Sequence, residues 1–93
     1  MGRYTVIIEN KARKQLADIH KSGKKTDIER IEQIFKELAI HPMKGIGKPE
    51  LLKHHLSGFW SRRINQKNRL IYKIDENKIT VVVLSAIGHY YDR

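Results

Sequence analysis

The second half of this 93-residue chain concentrates side chains able to move protons and offset anionic charge: Glu50, Lys53, Arg63, Arg69 and His89, with Tyr90 beside the histidine. Metal-free cleavage of RNA needs such types. There the 2′-hydroxyl attacks the adjacent phosphorus and the 5′-oxygen leaves. A base must take the 2′ proton, an acid must protonate the departing oxygen, and cations must offset charge on the equatorial oxygens. Residue type alone assigns none of these roles. Taken singly, Glu50 after Pro49 reads as a surface carboxylate or helix cap and His89 as a solvated histidine. Arg63 and Arg69 read as strand-face charges, Tyr90 as packing, Trp60 as a core or edge aromatic. His54 and His55 are adjacent, which does not bring both rings onto one ion, and no carboxylate stands at ligand spacing. Neither a metal nor a cofactor is expected.

Charge narrows the partners. Nineteen Lys plus Arg against ten Asp plus Glu leave +9, with a sequence pI near 10.0. A domain this basic repels itself, a cost that a polyanion relieves. Nucleic acid comes first as a partner, an acidic protein second and an anionic membrane third. The 40% hydrophobic and 31% charged composition is that of a globular protein, and 93 residues argue for one domain over 1–93. No cysteine is present, so no disulfide or thiolate metal site is available and a reducing compartment is compatible. The first ten residues hold no long apolar run, and no stretch approaches the roughly 18 to 20 apolar residues of a membrane span. The cytoplasm is the expected location, with no membrane partner.

The elements that must position these residues follow from pattern. Tyr4 to Ile8 is β-rich and reads as a first strand. Asn10 can cap a helix with Ala12, Leu16 and Ile19 on one face, and Ser22 to Lys25 breaks it. Thr26 and Glu29 have capping-box spacing for a second helix. Its stripe is Ile28, Ile31, Phe35 and Leu38, with Ile34 beside it and Pro42 ending it. His41 to Glu50, with Gly45, Gly47 and Pro49, reads as a loop. Phe59 to Ile64 and Arg69 to Ile74 read as strands joined through Asn65 to Asn68. Lys78 to Ile87 reads as a central strand buried on both faces. The expected fold is α+β in the order β-α-α-β-β-β, with a mainly antiparallel four-stranded sheet and two helices on one face.

Strand parity leaves one question open. Leu70, Tyr72 and Ile74 should face the helices, and Ile64 is the natural core residue of the preceding strand, leaving Ser61 and Arg63 on the open face. Arg63 and Arg69 share that face only across an odd-length loop or a bulge. A four-residue loop would separate them.

Four motifs stand in order: Gly45-Ile46-Gly47-Lys48-Pro49-Glu50, then Leu56-Ser57-Gly58-Phe59-Trp60-Ser61-Arg62-Arg63-Ile64, Arg69-Leu70-Ile71-Tyr72, and Gly88-His89-Tyr90. Their order resembles the YoeB branch of the RelE-like bacterial toxins, closely over Gly45 to Tyr90 and in layout before that. The resemblance implies a RelE-like fold and a ribosome-dependent endoribonuclease that cleaves translated mRNA and is silenced by an acidic cognate antitoxin. It makes Glu50 the general base, His89 the general acid and Arg69 the cation at the scissile phosphate. Arg63 is then a supporting arginine, Tyr90 an aromatic that positions substrate, and Lys53 a phosphate contact. Homodimer formation, as in some relatives, is left open.

Two departures stand out. Asn68 occupies a position where the family often has histidine, and Tyr91-Asp92-Arg93 extends past the usual end. Asp92 adds negative charge near His89, which favours the protonated ring. Two rival readings remain: a ParE-like topoisomerase poison on the same fold, and a non-catalytic nucleic-acid-binding module. The first needs no acid–base set. The second would be expected to carry an RNP, KH or helix-turn-helix signature, and none is present.

Overall fold

The computed structural model describes residues 3–53 and 57–87. β1 (Thr5–Ile8) leads into α1 (Asn10–Lys21) and α2 (Lys25–Ile40), followed by β2 (Glu50–Leu51), β3 (Phe59–Arg63), β4 (Arg69–Asp75) and β5 (Thr80–Ser85). The strands form a five-stranded sheet in the order β1-β5-β4-β3-β2. β1 runs parallel to β5, and the other pairings are antiparallel. The expected α+β class and mainly antiparallel sheet are present, with one strand more than the four read from the pattern.

The extra strand is β2. Two residues are too few to show alternation, and Pro49 and the glycines before it mask the pattern. Glu50 and Leu51 become strand only because β3 offers them an edge, pairing Glu50 with Ser61 and Leu51 with Trp60. The helix starts also differ from expectation. Asn10 is the first helical residue of α1 and Glu9 its N-cap, with no side-chain capping bond. Thr26 lies inside the first turn of α2, whose N-cap is Lys24, so Thr26 and Glu29 form no capping box. Packing of the apolar faces, rather than caps, holds both helices.

Alternation fills the core. Leu70 and Tyr72 of β4, with Val81 and Val83 of β5, turn toward the helices and meet Ala12, Ile19, Ile34 and Leu38. Ile34, read as lying beside the stripe, is fully buried, while Ile31 and Phe35 are only partly so. Full burial of each such aliphatic contributes about 1.5–3 kcal/mol. β5 is an interior strand, yet Val82 on its other face is only half-buried. That second face is the open one.

Candidate active site

The turn between β3 and β4 decides the parity. Asn65 Oδ1 accepts the backbone N–H groups of Lys67 at 2.9 Å and Asn68 at 2.8 Å, while its Nδ2 donates to Asp27 Oδ2 of α2 at 2.8 Å. Ile64 N–H donates to Asn68 O at 3.0 Å. The loop therefore spans the five residues 64–68, and Arg63 pairs directly with Arg69. Cross-strand partners point to the same side of a sheet, so both guanidiniums stand on the open face. Like charges in direct opposition destabilise a strand pair, and an anion between them removes that cost.

The same alternation brings in the carboxylate. Glu50 pairs with Ser61, and Ser61 with Ile71, which places Glu50 on the face of Arg63 and Arg69. With strands about 4.8 Å apart and a rise of about 3.3 Å per residue, the Glu50 and Arg69 Cα atoms lie roughly 12 Å apart. One phosphodiester fits between two long side chains at that separation. Glu50 and Arg63 are exposed, and Arg69 is partly buried. Lys53 is exposed just beyond β2. His89 and Tyr90, like His54, His55 and the Tyr91-Asp92-Arg93 extension, lie outside the described residues. The chain leaves β5 with Ser85 opposite Ile71, and Gln15 Oε1 of α1 accepts the amides of Ala86 at 2.7 Å and Ile87 at 3.3 Å. The exit from β5 toward His89 is thus held against α1.

Glu50 reaches its place through an arginine that was not among the expected site residues. Arg62 is fully buried on the helix side of β3. Its Nη1 donates to Glu37 Oε1 at 2.5 Å and Ile46 O at 3.3 Å, its Nη2 to His41 O at 2.9 Å and Lys44 O at 2.6 Å, and its Nε to the Tyr72 hydroxyl at 3.2 Å. The Tyr72 hydroxyl donates onward to Pro42 O at 2.7 Å. Burial pushes the Tyr72 phenol up despite the nearby guanidinium, so at neutral pH it stays protonated and able to donate. Glu37 Oε1 also accepts the Ile46 amide at 2.9 Å. Loop 41–47 is thereby bound to the core side of the sheet, and Arg63 N–H donates to Gly47 O at 2.6 Å, three residues before Glu50. The parity that buries Ile64 also buries Arg62, and a buried guanidinium must find acceptors. That signal was present in the pattern.

The two glycines of the loop follow from this contact. Gly45 has φ +128, and a Cβ there would lie 1.9 Å from Glu37 Oε1. At Gly47, with φ +82, a Cβ would lie 2.8 Å from Arg63 O. Only glycine lets the backbone pass this close.

Ser61, expected on the open face and lying across from Glu50, is instead fully buried, and among the described residues its hydroxyl has no hydrogen-bond partner. A buried hydroxyl left unpaired forfeits its hydration, at a cost of about 1–3 kcal/mol. Ser61→Ala is therefore expected to match or exceed the wild type in stability, by up to about 1 kcal/mol. A fall in the urea midpoint would mean that the hydroxyl is bonded after all.

Fold and face together define a class: a small basic α+β domain with helices on one side of its sheet and, on the other, a cationic surface bearing a carboxylate. The chain belongs to the YoeB-like toxins of bacterial type II toxin–antitoxin systems, whose family model matches residues 8–90. It is 44% identical over 64 residues to Toxin YoeB of Escherichia coli, covering 69% of this chain and 73% of that one. To Toxin YoeB of a Synechocystis species it is 46% identical over 63 residues, covering 68% and 71%. Among solved structures, the YoeB dimer from Staphylococcus aureus superposes with a TM-score of 0.76 at 30% identity, over 95% of this chain and 99% of that one. A YoeB/ParE toxin from Agrobacterium tumefaciens gives 0.79 at 24% identity, over 92% and 99%, and so speaks for the fold alone.

Proposed function

We propose that this toxin is a ribosome-dependent endoribonuclease that cleaves translated mRNA without a metal or cofactor and so stops translation. The observation that carries this reading is the strand register, which sets Glu50, Arg63 and Arg69 on one open sheet face. On this reading Glu50 takes the 2′ proton and Arg69 offsets charge on the phosphate oxygens as the 2′-oxygen attacks. Arg63, directly opposite Arg69, shares the phosphate's charge, and Lys53 contacts a neighbouring phosphate. His89 protonates the leaving 5′-oxygen, and Tyr90 stacks on or orients the substrate. Attack by the 2′-oxygen leaves a 2′,3′-cyclic phosphate, or the 3′-phosphate after its hydrolysis, and a 5′-hydroxyl. A ParE-like poison or a bare binding module would have no use for a carboxylate opposed to an arginine pair.

The site works in the cytoplasm, on mRNA held by the ribosome. An acidic antitoxin segment that orders on binding neutralises it. The complex of YoeB with YefM from Staphylococcus aureus, with which this chain shares 31% identity, supports such a partner. The dimer from the same species supports self-association.

The test is single-turnover cleavage on saturating programmed ribosomes, with end-group analysis of the products. Arg69→Ala should slow cleavage by about 10²–10³, the usual loss when one donor to a developing oxyanion is removed. Ribosome binding should change little, because the contact strengthens only in the transition state. His89→Gln should behave likewise. Wild-type protein that leaves translated messages intact would sink the nuclease reading, as would variants that cleave at the wild-type rate.

A further inference from the structure

Beside the candidate site, a groove of about 340 Å³ runs between the start of α2 and the β3–β4 turn, lined by Lys24, Arg30, Arg63, Asp27, Asn65 and their neighbours. This is near the lower end of the roughly 300–1,000 Å³ of ligand clefts, enough for one nucleotide-sized group. Lys24, Arg30 and Arg63 are all exposed. Among the described residues, none of the three side chains is in an ion pair or hydrogen bond. The carboxylate on this wall, Asp27, is 8% exposed and held by Asn65. Three unpaired cations against one occupied carboxylate leave the groove positive.

Arg63 is the link. It belongs to the groove and also stands directly opposite Arg69 on the open sheet face. An anionic chain engaged at Arg63 can therefore turn round the end of β3, from the open face to the groove beside α2, and meet Arg30 and Lys24 there. We propose that this groove is a backbone subsite, holding the phosphate next to the scissile one in the RNA substrate. The proposal rests on the endoribonuclease reading above and extends it beyond the catalytic face. An acidic peptide fits the groove less well, because such segments bury apolar side chains as they order. The lining here is polar apart from Ile64, which is already buried in the core. The exposed apolar residues Ile7, Ile40, Met43, Leu51, Ile79 and Ile87 are all outside its lining, and Ile40 stands at the far end of α2.

The experiment compares wild type, Lys24→Gln/Arg30→Gln and a charge-matched control, Lys21→Gln/Lys78→Gln, in cleavage of a defined message on programmed ribosomes across a salt series. Exposed substitutions of this kind shift stability by no more than about 0.5 kcal/mol, and thermal melts check that all three fold. The groove variant should need roughly tenfold more ribosomes for half-maximal rate and keep its saturated rate. Its logarithmic salt slope should fall by about 0.7, the value for one neutralised phosphate of single-stranded nucleic acid. The control should shift both quantities by less than half as much. A groove variant indistinguishable from the control overturns the subsite. So does one that loses affinity for an acidic antitoxin peptide while titrating ribosomes normally, or one whose saturated rate falls at unchanged half-saturation. If the wild type leaves the message intact, the nuclease reading fails and the subsite with it. Cleavage by the wild type combined with any of the overturning results sinks the subsite alone.

Discussion

Glu50→Gln is expected to fold as the wild type does and to lose cleavage by about 10²–10⁴, the usual contribution of a general acid or base. Glutamine keeps the length and shape of the side chain and can still accept a hydrogen bond, but it cannot take a proton from the 2′-hydroxyl. Glu50 is exposed and lies on a two-residue edge strand, so little packing depends on it. Thermal melts should therefore superimpose, and ribosome titrations should match or tighten slightly as a negative charge leaves a cationic face. The loss should appear in the single-turnover rate at saturation. Full activity in this variant would remove Glu50 from the chemistry and leave the arginine pair as a binding device.

Arg62→Ala should produce the largest loss of stability. It strips the donors from His41 O, Lys44 O and Ile46 O at once and leaves Glu37 facing the site of its former counter-ion. Removing one member of a fully buried, hydrogen-bonded ion pair costs about 3–5 kcal/mol; Glu37 keeps 18% of its side chain in solvent, which sets the loss near the lower figure. Domains hold only about 5–15 kcal/mol in all, so the loss is a large share of the total and should lower the thermal midpoint by more than about 10 °C. Glu37→Gln is the milder companion and carries a pH signature. Burial alone would raise the Glu37 carboxyl, but hydrogen bonds from Gln33, Ile46 and Arg62, with the charge of Arg62, outweigh it and hold the group below the ordinary carboxylate range. A carboxylate with a depressed folded-state pKa contributes stability that is present above its unfolded pKa and lost as pH falls through the folded one. Urea midpoints measured downward from neutrality should therefore show an acid decline that Glu37→Gln flattens. An Arg62→Ala unfolding free energy within about 1 kcal/mol of wild type would show that the loop holds without this arginine.

Each of these substitutions separates what was legible in the chain from what was not. The helices, the β-rich segments, the α+β class and the open-face position of Arg63 were readable because apolar residues recur at helical and strand spacings. The order of the motifs around Glu50, Arg69 and His89 was readable as a family resemblance. The chain alone left three things undecided. Whether Arg63 and Arg69 share a face depended on loop length, and that is set by Asn65 bonding both its own turn and Asp27, 38 positions away. Glu50 is in a strand because the β3 edge lies beside it, a non-local pairing that two residues cannot announce. Arg62 shares the parity of Ile64 and so reads as inward, but what satisfies it is not readable, because its acceptors come from α2, the following loop and β4. Local spacing determines which elements form, because each residue's neighbours along the chain suffice to express a period. Register, edges and buried charge are decided by partners distant in sequence, and only the folded chain brings those together.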